Sequence, residues 1–145
     1  MPPVFLATHA PQILACWPVL HLLRPQLQQH TFLARIQRMQ QSGYQLAYIE
    51  SDGVVVAAMG FRYLDQLDAG TLYIDDLVTL PAAQNNGYAS YLLDYATNLA
   101  RTLRAEGVAL ASAFSQAAAQ RLYLRKGFRP LAFHYYHPLD LGTGE

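Results

Sequence analysis

Cysteine is nearly absent from this chain, and charge is sparse. A single cysteine, Cys16, excludes an intrachain disulfide and fits a reducing compartment. It reads as a core residue rather than a nucleophile. Ten basic and ten acidic residues give zero formal charge. No basic run could release many counterions from a nucleic acid, so nucleic-acid binding is not expected as a main role. The sequence has no run of about 18 apolar residues, nor a basic flank followed by a small-residue cleavage pattern. No membrane span is expected, and a cytoplasmic location is. The histidines, His9, His21, His30, His134 and His137, show no ligand spacing, so no metal site is expected.

Apolar side chains are abundant instead. With 52% hydrophobic content over 145 residues, the chain can bury a substantial core but is too short for two ordinary domains, so residues 1–145 are expected to form one. Charged residues make up only 14%, which leaves a relatively apolar surface and suits a homodimer.

Residues 3–8 have the content of a short strand. Ile13, Leu14, Trp17, Leu20 and Leu23 then fall near helical spacing, with Pro18 predicting a kink or division. A helix over about Thr31 to Gln41 ends at Ser42-Gly43. Tyr44 to Glu50 and Val54 to Tyr63 read as strands joined by Asp52-Gly53, a type I′ hairpin signal. Further on come a short strand over Val108 to Ala113, a helix over Gln116 to Lys126 closed by Gly127, and an aromatic strand or strand pair over Phe128 to His137.

The first functional signal lies between these blocks. Leu72 to Leu80 is a strand pattern and Pro81 to Ala89 a loop bearing Gly87. From Tyr88 an apolar period of 3.6 residues runs through Leu92, Tyr95, Ala96, Leu99 and Leu103. Such a loop aims backbone N–H groups out of a helix N-terminus, where unpaired donors and the macrodipole favour an anion. A phosphate-bearing ligand is therefore expected, against the plainer reading of a tight strand-to-helix turn. Gly87 suits the ligand because a side chain there would block its approach.

The spacing Gln84-x-x-Gly87-x-Ala89 resembles the acetyl-CoA-binding motif of the GCN5-related N-acetyltransferase (GNAT) family: Gln or Arg, x, x, Gly, x, Gly or Ala. Ala118-Ala119-x-x-x-Tyr123-x-x-x-Gly127-Phe128 is similar to the family's helix with a catalytic tyrosine. The resemblance implies an α/β (α+β) fold whose mixed, mostly antiparallel sheet has about six to seven strands flanked by about four helices. It also implies two short helices bordering the acceptor site, acetyl-CoA as co-substrate, and transfer of the acyl group to a primary amine by direct attack on the thioester. The acceptor is a small molecule or a protein amine, and neither a membrane nor a nucleic acid is implied.

By the same resemblance, backbone groups of Leu77, Val78 and Thr79 would pair with pantetheine like an added strand. The loop of Gln84, Asn85, Asn86, Gly87, Tyr88 and Ala89 would hold the pyrophosphate. It departs from many relatives in having no arginine or lysine, and so lacks charge-assisted phosphate contacts. Gln116 stands where asparagine is common as a pantetheine contact, and Tyr123 matches the general acid that protonates the leaving thiolate. A phenol suits that task; the alternative is a core tyrosine.

Asp75 and Asp76 are adjacent carboxylates in an apolar strand. Alternation sends them to opposite faces unless a bulge intervenes, so one is expected to face the substrate and receive the amine. A salt bridge is the competing reading for both. A non-catalytic acyl-CoA-binding or regulatory module is the alternative function, and a structural subunit a third.

Overall fold

The computed structural model describes residues 1–141, in two compact units: Met1–Leu110, and a second beginning at Ala111. The first unit contains the sheet. Its strands follow chain order: β1 (Phe5–Leu6), β2 (Gln45–Ser51), β3 (Val54–Asp65), β4 (Gly70–Thr79) and β5 (Gly107–Leu110). The first four pair antiparallel, and β4 pairs parallel with β5. Asp52 and Gly53 take φ of 53° and 76°, the doubly left-handed turn that a two-residue hairpin between twisted strands requires.

Three helices connect β1 to β2: α1 (Ala10–Ala15), α2 (Trp17–Leu23) and α3 (Gln29–Gln41). The expected division occurs at Cys16, and Pro18 falls in the first turn of α2, where its missing N–H has no intrahelical partner to lose. This division makes two short helices of one predicted segment. With α4 (Tyr88–Thr102) and α5 (Ala117–Arg125), the described helices number five rather than about four. None is long and apolar enough to cross a membrane.

Phe32, Ile36, Tyr44, Leu46 and Tyr48 pack with Ile13, Cys16 and Val19 in a continuous buried cluster. Cys16 is fully buried, and burial, with the nearby Glu50 charge adding to it, pushes its thiol up to about 12. A thiolate is the nucleophile in alkylation, so Cys16 of the native protein is expected to resist iodoacetamide at neutral pH and to react after denaturation. Stoichiometric labelling of the folded chain, read by mass spectrometry, would contradict this placement.

In the second unit, α5 ends in a Schellman motif. Gly127 sits at φ 93°, its N–H donates to the Leu124 carbonyl, and the Phe128 N–H donates to the Tyr123 carbonyl at 2.9 Å. The Phe128 ring then meets the edge of Tyr123, 6.0 Å between centroids, the apolar contact that accompanies this cap.

The aromatic strand expected over Phe128 to His137 is not formed: among the described residues no strand follows β5, so the sheet has five strands rather than six to seven. Leu131, Phe133, Tyr135 and Tyr136 are exposed. Alternating aromatics describe how side chains would sit on a sheet, but a strand also needs a ladder partner. Pro130 and Pro138 remove donors at both ends of this stretch.

Candidate functional site

The sheet opens in the middle of β4. Its pairing with β5 ends at Ile74 opposite Leu110, whereas its pairing with β3 continues to Thr79 opposite Ala57. Leu77, Val78 and Thr79 therefore have one laddered edge and one with no strand beside it among the described residues. Unpaired backbone groups in a row are a template for an extended ligand.

This open edge runs directly into the glycine loop. A 3-10 turn over Pro81–Ala83 leads to Gln84, Asn85 and Asn86, all exposed, and the Asn86 side-chain amide donates to the Ala83 carbonyl at 2.9 Å. Gly87 is the N-cap of α4 at φ 80°, ψ 11°. A Cβ built on it would come no nearer than 3.5 Å to Met1, so the left-handed backbone, not crowding, requires glycine in the free protein. No side chain caps α4 and no acidic residue occupies its first turn. The donors at Tyr88 and Ala89 thus start a 15-residue helix whose dipole attracts an anion.

Asp75 and Asp76 occupy the point where β4 departs from β5. Gly60 pairs with Asp76 and Phe61 with Ile74, so Asp75 is the extra residue of a β-bulge. The bulge cancels the alternation that would send the carboxylates to opposite faces, and one network holds both. Arg62 Nε donates to Asp75 Oδ2 at 2.9 Å, and its guanidinium lies 5.5 Å from the centroid of the Tyr44 ring. Tyr44 Oη donates to Asp76 Oδ2 at 2.9 Å, and Arg24 holds Asp76 Oδ1 through Nη2 at 2.8 Å and Nε at 3.1 Å. The bulge is the exception to alternation that the sequence left open: both carboxylates border the same cleft, and both are ion-paired, as the salt-bridge reading expected.

Burial pushes the Asp75 carboxyl above the usual carboxylate range, with Arg62 pulling it back. Burial, and then the Asp76 charge, push the Tyr44 phenol far up, so it remains a hydrogen-bond donor throughout the neutral range. Tyr44 can lie across β3 only because residue 60 has no side chain: a Cβ on Gly60 would overlap the phenol ring. Tyr44, Arg24, Arg62 and Gly60 did not stand out in the sequence. The available signal was Gly60, a lone glycine within a strand pattern, which marks a bulge or a close approach.

The cleft beside these carboxylates has a volume of about 920 Å³ and is walled by the end of α2, the α2–α3 link, α3 and β4. Arg24, Arg35 and Arg38 line it together with Asp75 and Asp76. In the second unit, Gln116 is the N-cap of α5 and Tyr123 is half-buried on that helix. Burial raises the Tyr123 phenol above its ordinary value.

The chain matches the Acetyltransferase (GNAT) family over residues 12–128. It is 30% identical over 126 residues to the uncharacterized N-acetyltransferase YhdJ of Bacillus subtilis, covering 85% of this chain and 89% of that protein. Its fold is shared with the aminoglycoside N-acetyltransferase AAC(6')-Iy solved with CoA, at a TM-score of 0.78 and 14% identity, with 96% of each chain covered. It is shared too with the ribosomal-protein-alanine N-acetyltransferase of Brucella melitensis, at a TM-score of 0.81 and 14% identity over 94% of this chain and 99% of that one.

Proposed function

Because this chain belongs to the acetyltransferase (GNAT) family, we propose that it transfers an acetyl group from acetyl-CoA to a primary amine by direct attack on the thioester. The observation that carries the reading is the continuity of an open β4 edge, a left-handed Gly87 and an uncapped helix start. The first suits an extended amide-bearing arm, and the last a pyrophosphate.

In this reading Leu77, Val78 and Thr79 pair with pantetheine, and the Gln84 to Ala89 loop holds the phosphates. Gln116 is a further pantetheine contact. The amine nitrogen bonds to the carbonyl carbon, the carbon–sulfur bond breaks, the amine proton leaves through Asp75 or a water beside it, and Tyr123 protonates the sulfur. Asp75 is the proton acceptor in this reading: burial raises its carboxyl above the usual carboxylate range, which makes it a stronger base, with Arg62 pulling it back. Asp76, held by Tyr44 and Arg24, fixes the wall beside it.

The test is calorimetry and thermal shift with CoA and acetyl-CoA, followed by a thiol-release assay across amines. One CoA site per chain and a raised melting temperature are expected, with adenosine alone doing less. No effect of either CoA species at millimolar concentration would remove the reading. Binding without transfer to any amine would leave an acyl-CoA-binding module.

A further inference from the structure

The charges that wall the cleft do not suit a polycation. Two carboxylates line it, but Arg24 occupies Asp76 and Arg62 occupies Asp75. What these pairs leave over is Arg35 and Arg38, both exposed, both lining the cleft, and neither in an ion pair among the described residues. Their spacing of three on α3 puts them on one helix face, together with Thr31, which also lines the cleft. The cleft therefore carries an uncompensated positive wall on α3 and a neutralised acidic one on β4.

From this juxtaposition we propose that the acceptor is a small amine that also carries a carboxylate, with Arg35 and Arg38 as its specificity-determining residues. The proposal rests on the acetyltransferase reading and adds the class of acceptor. A cleft of about 920 Å³ takes a small molecule. The amine of such a molecule meets the Asp75 and Asp76 wall and its carboxylate meets the guanidinium groups, whose planar forks match carboxylate geometry. Discrimination here is by sign. A polyamine or an aminoglycoside brings several cations against two uncompensated arginines and finds both carboxylates already paired, whereas an amino acid brings a carboxylate for the arginines and a single amine for the paired acidic wall.

Matched acceptors test this directly: several amino acids, each beside its carboxamide and its decarboxylated amine, with spermidine and an aminoglycoside as polycations. Thiol release should give a kcat/KM for the amino acid at least about tenfold above its decarboxylated partner. In the double variant Arg35→Gln, Arg38→Gln that ratio should fall to near one through a rise in KM for the amino acid, with KM for acetyl-CoA unchanged. Calorimetry on the CoA-bound protein supplies a second readout: the amino acid binds the wild type and its affinity drops about tenfold in the double variant.

Preference for polycations, or a ratio near one in the wild type, overturns the proposal and leaves the acetyltransferase standing. A raised KM for acetyl-CoA in the variant overturns it too, by assigning the arginines to the cofactor's phosphates. Failure of the wild type to bind CoA at all overturns both readings together.

Discussion

Replacing Tyr123 with phenylalanine is expected to slow acetyl transfer on the order of 10²-fold or more while leaving CoA affinity within about twofold of wild type. The spacing Tyr123-x-x-x-Gly127-Phe128 has a structural explanation: Gly127 and Phe128 form the cap of α5, and the Tyr123 ring supplies the cap's apolar contact. The hydroxyl is outside that explanation. Phenylalanine keeps the ring, so stability should change by no more than about one hydrogen bond's net worth, roughly 0.5 to 1.5 kcal/mol. Because burial raises the phenol's pKa, the acid stays protonated across the neutral range, and any alkaline loss of rate from its ionisation should lie above the ordinary tyrosine value. Steady-state and single-turnover kinetics of the folded variant check this. The defect should shrink with an acyl donor whose thiol is a better leaving group. Wild-type rates with both donors would return Tyr123 to a capping role alone.

Elements whose causes are local were legible in the sequence. The Asp52-Gly53 hairpin, the break near Pro18 and the Gly127 cap each depend on the φ preferences of one or two residues, and each forms where the pattern places it. The strand-loop-helix from β4 to α4 was legible for the same reason, and because α4 has a clear 3.6-residue period.

What escaped depends on partners distant in sequence. Whether Phe133, Tyr135 and Tyr136 form a strand depends on the presence of a ladder, which side-chain alternation does not reveal. Whether Asp75 and Asp76 share a face depends on a bulge set by register with β3, and their ion pairing depends on arginines 52 and 13 residues away. The salt-bridge reading of these carboxylates is the one the geometry shows, and because Arg24 and Arg62 are taken up in it, Arg35 and Arg38 are left to set the charge of the cleft.

At the glycine loop, Gly87→Val is expected to weaken CoA binding far more than folding. Valine in the left-handed region costs about 1 to 2 kcal/mol, a part of the 5 to 15 kcal/mol that stabilises an ordinary domain, so the variant should remain folded. Binding loses more. In the proposed site the donors for the phosphates belong to the backbone at and just after residue 87, no arginine or lysine stands in the loop to compensate, and each charge-assisted hydrogen bond is worth about 1.5 to 3 kcal/mol. Loss of one or two of them raises the CoA dissociation constant on the order of 10²-fold. Gly87→Asn separates strain from obstruction, because asparagine tolerates the left-handed backbone that Gly87 adopts at φ 80° while still projecting a side chain toward the approach path. Denaturant unfolding should place Gly87→Asn close to wild type in stability, and calorimetry should place it close to Gly87→Val in affinity. If both variants fold and both bind CoA as wild type does, the phosphates do not rest on the start of α4.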